Sequence, residues 1–189
     1  SDYLKKDFII EKGHSYGADL VLKYEYKRIY LWGVYSLTWV ERFDGIRTYS
    51  PHFDRRHNIN LVGSYTFGKK LDWEFNARWN FGSGFPFTGT QGAAEYLPFS
   101  NGIYTDPTTA NGEFDVILGD LNQKRLSTYH RLDFSLKKTF VVGKNSNLEA
   151  TISAINVYDR DNIFYIDRIR NQRVNQLPFL PSVGVNMTF

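Results

Sequence analysis

Asp72-Trp73-Glu74-Phe75-Asn76-Ala77-Arg78-Trp79-Asn80-Phe81 alternates between apolar or aromatic and polar side chains without a break. Trp73, Phe75, Ala77, Trp79 and Phe81 share one parity; Glu74, Asn76, Arg78 and Asn80 share the other. Successive side chains of an extended chain point to opposite faces, so this stretch reads as a strand with one greasy and one wet face. The pattern recurs on both sides of it. Upstream, Tyr16, Ala18, Leu20, Leu22, Tyr24 and Tyr26 oppose Asp19, Lys23 and Glu25. Ile59, Leu61, Gly63, Tyr65 and Phe67 oppose Asn58, Asn60, Ser64 and Thr66. Ile29–Val40 is rich in β-formers, with Leu31, Tyr35, Leu37 and Trp39 on one parity. Downstream, Leu132, Phe134, Leu136 and Phe140 oppose Arg131, Asp133, Ser135, Lys137 and Thr139, and Leu148, Ala150, Ile152 and Ala154 oppose Glu149, Thr151 and Ser153. Phe179, Pro181, Val183, Val185, Met187 and Phe189 close the chain on one face.

The sum is roughly seven strands of about ten residues, longer than the five or six usual in soluble sheets. At about 3.3 Å per residue and a tilt of about 40°, ten residues cover roughly 25 Å, the height of the apolar band of an outer-membrane barrel. The connections alternate in length. Those near Lys27-Arg28, at Gly68–Leu71 and at Val142–Asn147 are short; those at Glu41–Arg55, Gly82–Thr128 and Tyr158–Pro178 are long. Barrels of the outer membrane sort short turns to one side and long loops to the other. The aromatics collect in two belts. Tyr24, Trp73, Phe140 and Phe189 lie near the short turns, and Trp39, Trp79, Phe81 and Phe179 near the long loops. Rings with a polar handle favour the headgroup level of a bilayer, with aliphatics between. The expected fold is therefore all-β: an antiparallel transmembrane β-barrel segment with a wet inner face carrying Asp19, Lys23, Asn58, Asn60, Glu74, Asn76, Arg78, Arg131, Asp133, Lys137 and Glu149. An odd strand number cannot close an antiparallel barrel, so residues 1–189 are expected to be the C-terminal portion of a larger one, with its plug and N-terminal strands absent.

Composition agrees. The 189 residues contain no cysteine, which excludes disulfides, cysteine nucleophiles and cysteine zinc sites. The formal charge of +3 is small and scattered, so no nucleic-acid partner is implied. No run approaches the roughly 20 apolar residues of a spanning helix. The opening Ser1-Asp2-Tyr3-Leu4-Lys5-Lys6-Asp7 has no apolar core of a signal peptide.

Five stretches, in order, are similar to the C-terminal end of TonB-dependent outer-membrane receptors, in particular the group with a carboxypeptidase-regulatory-like N-terminal domain. They are Phe53–Leu61, Gly82–Thr88, Tyr129–Asp133, Ile155–Asn162 and Leu177–Ser182. The resemblance implies a barrel of about 22 strands with a plugged lumen. It implies location in the outer membrane of a Gram-negative bacterium and contact with its lipid. It further implies energy from the TonB complex through an N-terminal region, and a possible surface lipoprotein partner. The last strand, with Val185, Met187 and Phe189, looks like the signal read by the barrel-assembly machinery.

The side chains able to do chemistry are sparse. His52 and His57 sit five apart beside Asp54, a spacing that does not chelate a metal, so no metal or other cofactor is expected. Asp159-Arg160-Asp161-Asn162 lacks the glycine and terminal glutamate of a calcium loop and reads as a turn built by its side chains. Glu74, Arg78, Asp133 and Lys137 are expected to pair across strands. No Ser/His/Asp or paired-carboxylate set can be assembled, so no enzyme is expected. The long loop Gly82–Thr128, with Phe85, Phe87, Tyr96, Phe99 and Tyr104 among amides and hydroxyls, is the candidate for ligand contact. The expected function is TonB-dependent uptake of a large scarce solute, such as a metal chelate, oligosaccharide or peptide. The alternative is a soluble all-β carbohydrate-binding module.

Overall fold

The computed structural model describes residues 11–96, 113–143, 146–167, 170 and 172–189, and among these every regular element is a strand. In chain order they are β1 (Lys12–Tyr26), β2 (Ile29–Phe43), β3 (Thr48–Tyr49), β4 (His57–Phe67), β5 (Trp73–Gly82), β6 (Pro86–Phe87), β7 (Thr90–Tyr96), β8 (Glu113–Leu118), β9 (Lys124–Arg125), β10 (Tyr129–Val141), β11 (Asn147–Ile155), β12 (Ile163–Asp167), β13 (Gln172–Asn175) and β14 (Leu180–Thr188). The long ones form one antiparallel meander in the order β1-β2-β4-β5-β10-β11-β14, with β3 paired to β2. These are the seven strands that the alternation predicts. They start and stop within a few residues of the predicted limits because two-sided patterning fixes register strongly.

A meander puts successive connections at alternate ends of its strands. The short turns after β1, β4 and β10 therefore share one edge, and the three long connections share the other. Gly68 occupies the left-handed region at φ 93°, with Leu71 at φ 57°, so the β4–β5 turn uses a conformation glycine adopts without strain. The long connections carry their own small ladders: β6 with β9, β7 with β8, and β12 with β13. Sequence reading takes these segments as loops, since pieces of two to seven residues give too few alternations to count.

Register carries the sequence pattern across the whole sheet. One row runs Tyr26–Ile29–Tyr65–Phe75–Leu136–Ile152–Val183, and the next row but one on the same face Leu22–Gly33–Leu61–Trp79–Leu132. On the opposite face runs Thr66–Glu74–Lys137–Thr151–Gly184. Cross-strand charge pairing follows: Lys137 Nζ lies 2.9 Å from Glu74 and 4.0 Å from Glu149. Asp133 departs from it, pairing within β10 to Arg131 at 2.9 Å.

A soluble sandwich would bury its apolar parity. Here no aliphatic or aromatic side chain among the described residues is buried, and the only buried apolar ones are the prolines Pro51 and Pro86 in the connections. Leu61 is 46% exposed and Ile152 62%, whereas the Asp133 side chain, on the polar face, is 18% exposed. The sheet is open, its end strands β1 and β14 unpaired with each other.

Candidate functional site

Among the described residues four polar ones are buried: Asp54, Thr88, Asn156 and Asn162. All four sit where the long connections meet the sheet. Asp54 is fully buried. A turn places it, the Asp54 N–H donating to the Pro51 carbonyl at 2.9 Å. Its Oδ2 accepts from Arg125 Nη2 at 2.5 Å, and Arg56 Nη2 lies 3.8 Å away. Arg125 Nη1 also donates to the carbonyls of Asp54 and Gly84, at 3.3 and 3.2 Å. One guanidinium thus ties the 44–56 connection to the root of the 83–128 connection. Thr88 and Asn122 add a second tie: the Asn122 N–H donates to Thr88 Oγ1 at 3.0 Å, and Asn122 Nδ2 to the Ser50 carbonyl at 2.9 Å. Gly84 lies so close to the Leu126 carbonyl that a Cβ there has no room.

The third long connection is anchored by asparagines. Asn156 adopts the left-handed region at φ 53°, which asparagine tolerates. Its N–H donates to Asp133 Oδ1 at 3.0 Å, and its Nδ2 to the carbonyls of Arg160 and Leu177 at 3.0 and 3.1 Å. Asn162 exchanges two bonds with the His130 backbone, Nδ2 to O at 2.9 Å and N–H to Oδ1 at 3.1 Å. Its amide does what a neighbouring strand would do, where β10 runs on past the end of its ladder with β11. Asp159 accepts the Phe179 N–H at 2.7 Å. The 159–162 stretch is thus a side-chain-built turn, as its sequence predicts.

The histidines pair with tyrosines. His57 Nδ1 is 2.9 Å from Tyr35 Oη, and His130 Nδ1 is 2.7 Å from Tyr158 Oη. Burial pushes the Tyr158 hydroxyl above its usual value. Among the described residues no group of three or more metal-ligating side chains converges.

Three of the ligand-contact candidates, Phe85, Phe87 and Tyr96, lie among the described residues. Phe85 packs on the Arg55 guanidinium, Cζ 4.1 Å from the ring centre. Phe87 sits in β6, its backbone paired with Lys124. Tyr96 ends β7. Phe99 and Tyr104 lie outside the described residues. Aromatic pairs on the apolar parity lie toward both ends of the long strands. Tyr16 stacks on Trp39 (5.3 Å) and Trp79 on Phe81 (5.9 Å) toward the long connections, and Phe67 stacks on Trp73 (6.0 Å) toward the short turns. Near that second edge Lys138 lies 4.4 Å over Trp73 and 5.6 Å over Phe140 while its Nζ reaches Asp72 at 2.5 Å. That hydrogen bond holds the Asp72 carboxyl below its usual range. On the last strand, Val185, Met187 and Phe189 are exposed, as is Phe179 before it. Tyr24 is exposed on the first.

Sequence reading missed the anchoring roles of Asp54, Thr88, Asn156 and Asn162, because a loop anchor has no period. Their one sequence signal was membership in the stretches that carry the family resemblance. Compared with protein-family models, with curated proteins and with solved structures, the chain finds no match in any of the three.

Proposed function

We propose that this chain is a membrane-spanning wall: the C-terminal β-barrel segment of a TonB-dependent outer-membrane receptor that takes up a large scarce solute. One observation carries the reading. The apolar parity is uncovered along the sheet, and no aliphatic or aromatic side chain among the described residues is buried. At about 25 cal/mol per Å² the open face would penalise a sheet standing in water, whereas hydrocarbon removes the penalty. Aromatic pairs at both ends of the strands match the headgroup levels of a bilayer. From Trp73 to Phe81 the strand runs about 27 Å, which at a tilt of about 40° spans roughly 20 Å, most of the roughly 25 Å height of an apolar band. Lys138 fits the same frame, its stem along two rings and its ammonium at the edge with Asp72.

The polar face, with its ion pairs and amides, faces the lumen and the plug in this reading. The sheet edges at β1 and β14 await the remaining strands of the barrel. Ligand capture belongs to the anchored connections, energy to the TonB complex, and assembly to the terminal strand.

Extraction tests this. The chain is expected to partition with vesicles and to need detergent for a dispersed, β-rich state. A stable, dispersed β-sheet in plain buffer, with carbohydrate affinity, would replace this reading with that of a soluble binding module.

A further inference from the structure

We propose that Arg55 is an oxyanion-recognition point at the rim of the polar face, taking a carboxylate or phosphate group of the arriving solute. The proposal rests on the barrel reading for what arrives there, and on geometry for the chemistry.

The root of the 44–56 connection holds three successive charges, Asp54, Arg55 and Arg56. Asp54 is taken up by Arg125 and Arg56. Arg55 has no carboxylate within ion-pair distance among the described residues. Half-buried cations of the sheet do: Arg131 has Asp133, Lys137 has Glu74, and Lys138 has Asp72. Arg160, in the third long connection, also lacks a carboxylate among the described residues, but its Nη2 is taken up by the Thr128 carbonyl. Arg55 is half-buried, and burial lowers its guanidinium below the usual value. Such a group is stabilised by an arriving anion.

The guanidinium is also held still. Its Cζ sits 4.1 Å from the Phe85 ring centre and 5.6 Å from that of Tyr129. It lies over Gly82, where any side chain would collide with it. Nε is buried without a hydrogen-bond partner, so the two Nη groups carry the free donors. A planar fork fixed by two rings and short of an acid is suited to bidentate recognition of an oxyanion, at little ordering cost. The ladder places Gly82 opposite Asn58 on β4, and the next row on that face is the hydrogen-bonded pair Asn60 and Asn80. Amides are thus at hand for the neutral parts of a polar solute. Phe85, a ligand candidate from sequence, enters here as the ring that aims the arginine.

The alternative is that Arg55 only rivets the loop to the sheet through its rings. The two are separated by calorimetric titration of the full chain in detergent, with citrate and inorganic phosphate as probes at fixed ionic strength and glucose as the neutral control. Saturable citrate binding is expected in the parent chain. It should weaken at least tenfold in Arg55→Gln, less in Arg55→Lys, and severalfold in Phe85→Leu, which keeps the charge and removes the ring. Arg78→Gln, at an exposed cation on the same face with no ion pair among the described residues, should bind as the parent does. No saturable binding in the parent, equal binding in Arg55→Gln, or an equal loss in Arg78→Gln would overturn the proposal. Should Arg55→Gln not fold, Phe85→Leu decides. The two readings fail separately. A chain that needs detergent but ignores both anions loses only this inference, and one that binds citrate yet dissolves in buffer loses the barrel.

Discussion

Replacing Arg125 with methionine should release the root of the 83–128 connection while leaving the sheet intact. The structure sets the size of the effect. Asp54 is fully buried, and its Oδ1 already lacks a partner among the described residues. Arg125 is its 2.5 Å partner; Arg56, at 3.8 Å, is all that remains once Arg125 is gone. Stripping one member from a buried pair costs about 3–5 kcal/mol, because a charge is left without compensation. Arg56 remains and the Arg125 side chain is 38% exposed, so the low end, about 3 kcal/mol, applies. At about 1.4 kcal/mol per decade that is roughly a hundredfold in a local opening equilibrium. Amide hydrogen exchange reads it directly. Leu126 N–H, which donates to Phe85 at 2.9 Å, and Asn122 N–H, bound to Thr88 Oγ1, should lose roughly a hundredfold in protection. Amides of β4, β5 and β10 should be unchanged. Adding Asp54→Asn should recover part of the loss, since a neutral amide tolerates burial better than an orphaned carboxylate. Unchanged exchange at Leu126 and Asn122, or an equal loss throughout the sheet, would refute the reasoning.

Other perturbations have equally definite outcomes. Ile152→Arg, on the apolar face, should cost about 2–4 kcal/mol of folding stability in lipid, while Thr151→Arg on the opposite face should cost much less; equal costs in refolding titrations would contradict the assignment of faces. Gly84→Ala should loosen the β6–β9 root, read as faster exchange at Leu126, because the new Cβ has no room beside the Leu126 carbonyl. The Asp72 carboxyl is held low by Lys138, so the stability it lends is present above its unfolded value, about 3.9, and is lost as pH falls through the lower folded value. Protection of the β4–β5 turn should therefore hold from neutral pH down to about 5 and fall below about 4, and Asp72→Asn should remove that acid limb. On the barrel reading, deleting Phe189 from the full-length protein should cut its level in the outer membrane more than its affinity for solute; normal membrane levels would remove the assembly role.

The seven long strands were legible because each offers many alternations, and a one-residue slip would turn every side chain to the wrong face. The sorting of connections was legible from lengths alone. The small ladders β6–β9 and β12–β13 were not, being set by tertiary anchoring and not by pattern. Asp54 and Asn156 show the same limit at the site. Each is polar and lies in a loop, and nothing local says that it will be sealed beneath the chain. Arg55 and Arg56 are neighbours in sequence, yet one packs on Phe85 and Tyr129 and the other lies 4.9 Å from the Trp39 ring. That split follows from the alternation of an extended chain, but which partner each finds does not. Phe85, singled out as a possible ligand contact, packs on the Arg55 guanidinium, a pairing that its sequence neighbours do not announce.

The tryptophans offer the most direct test of the central claim, that the greasy parity meets lipid. Trp39, Trp73 and Trp79 share the apolar parity, whereas Trp32 pairs with Lys23 and Val62 on the opposite face. Four single-tryptophan variants reconstituted into vesicles of brominated lipid would report contact with acyl chains through fluorescence quenching. The account predicts strong quenching of Trp39, Trp73 and Trp79 and little of Trp32. Quenching of Trp32 equal to the rest, or none at Trp79, would contradict it.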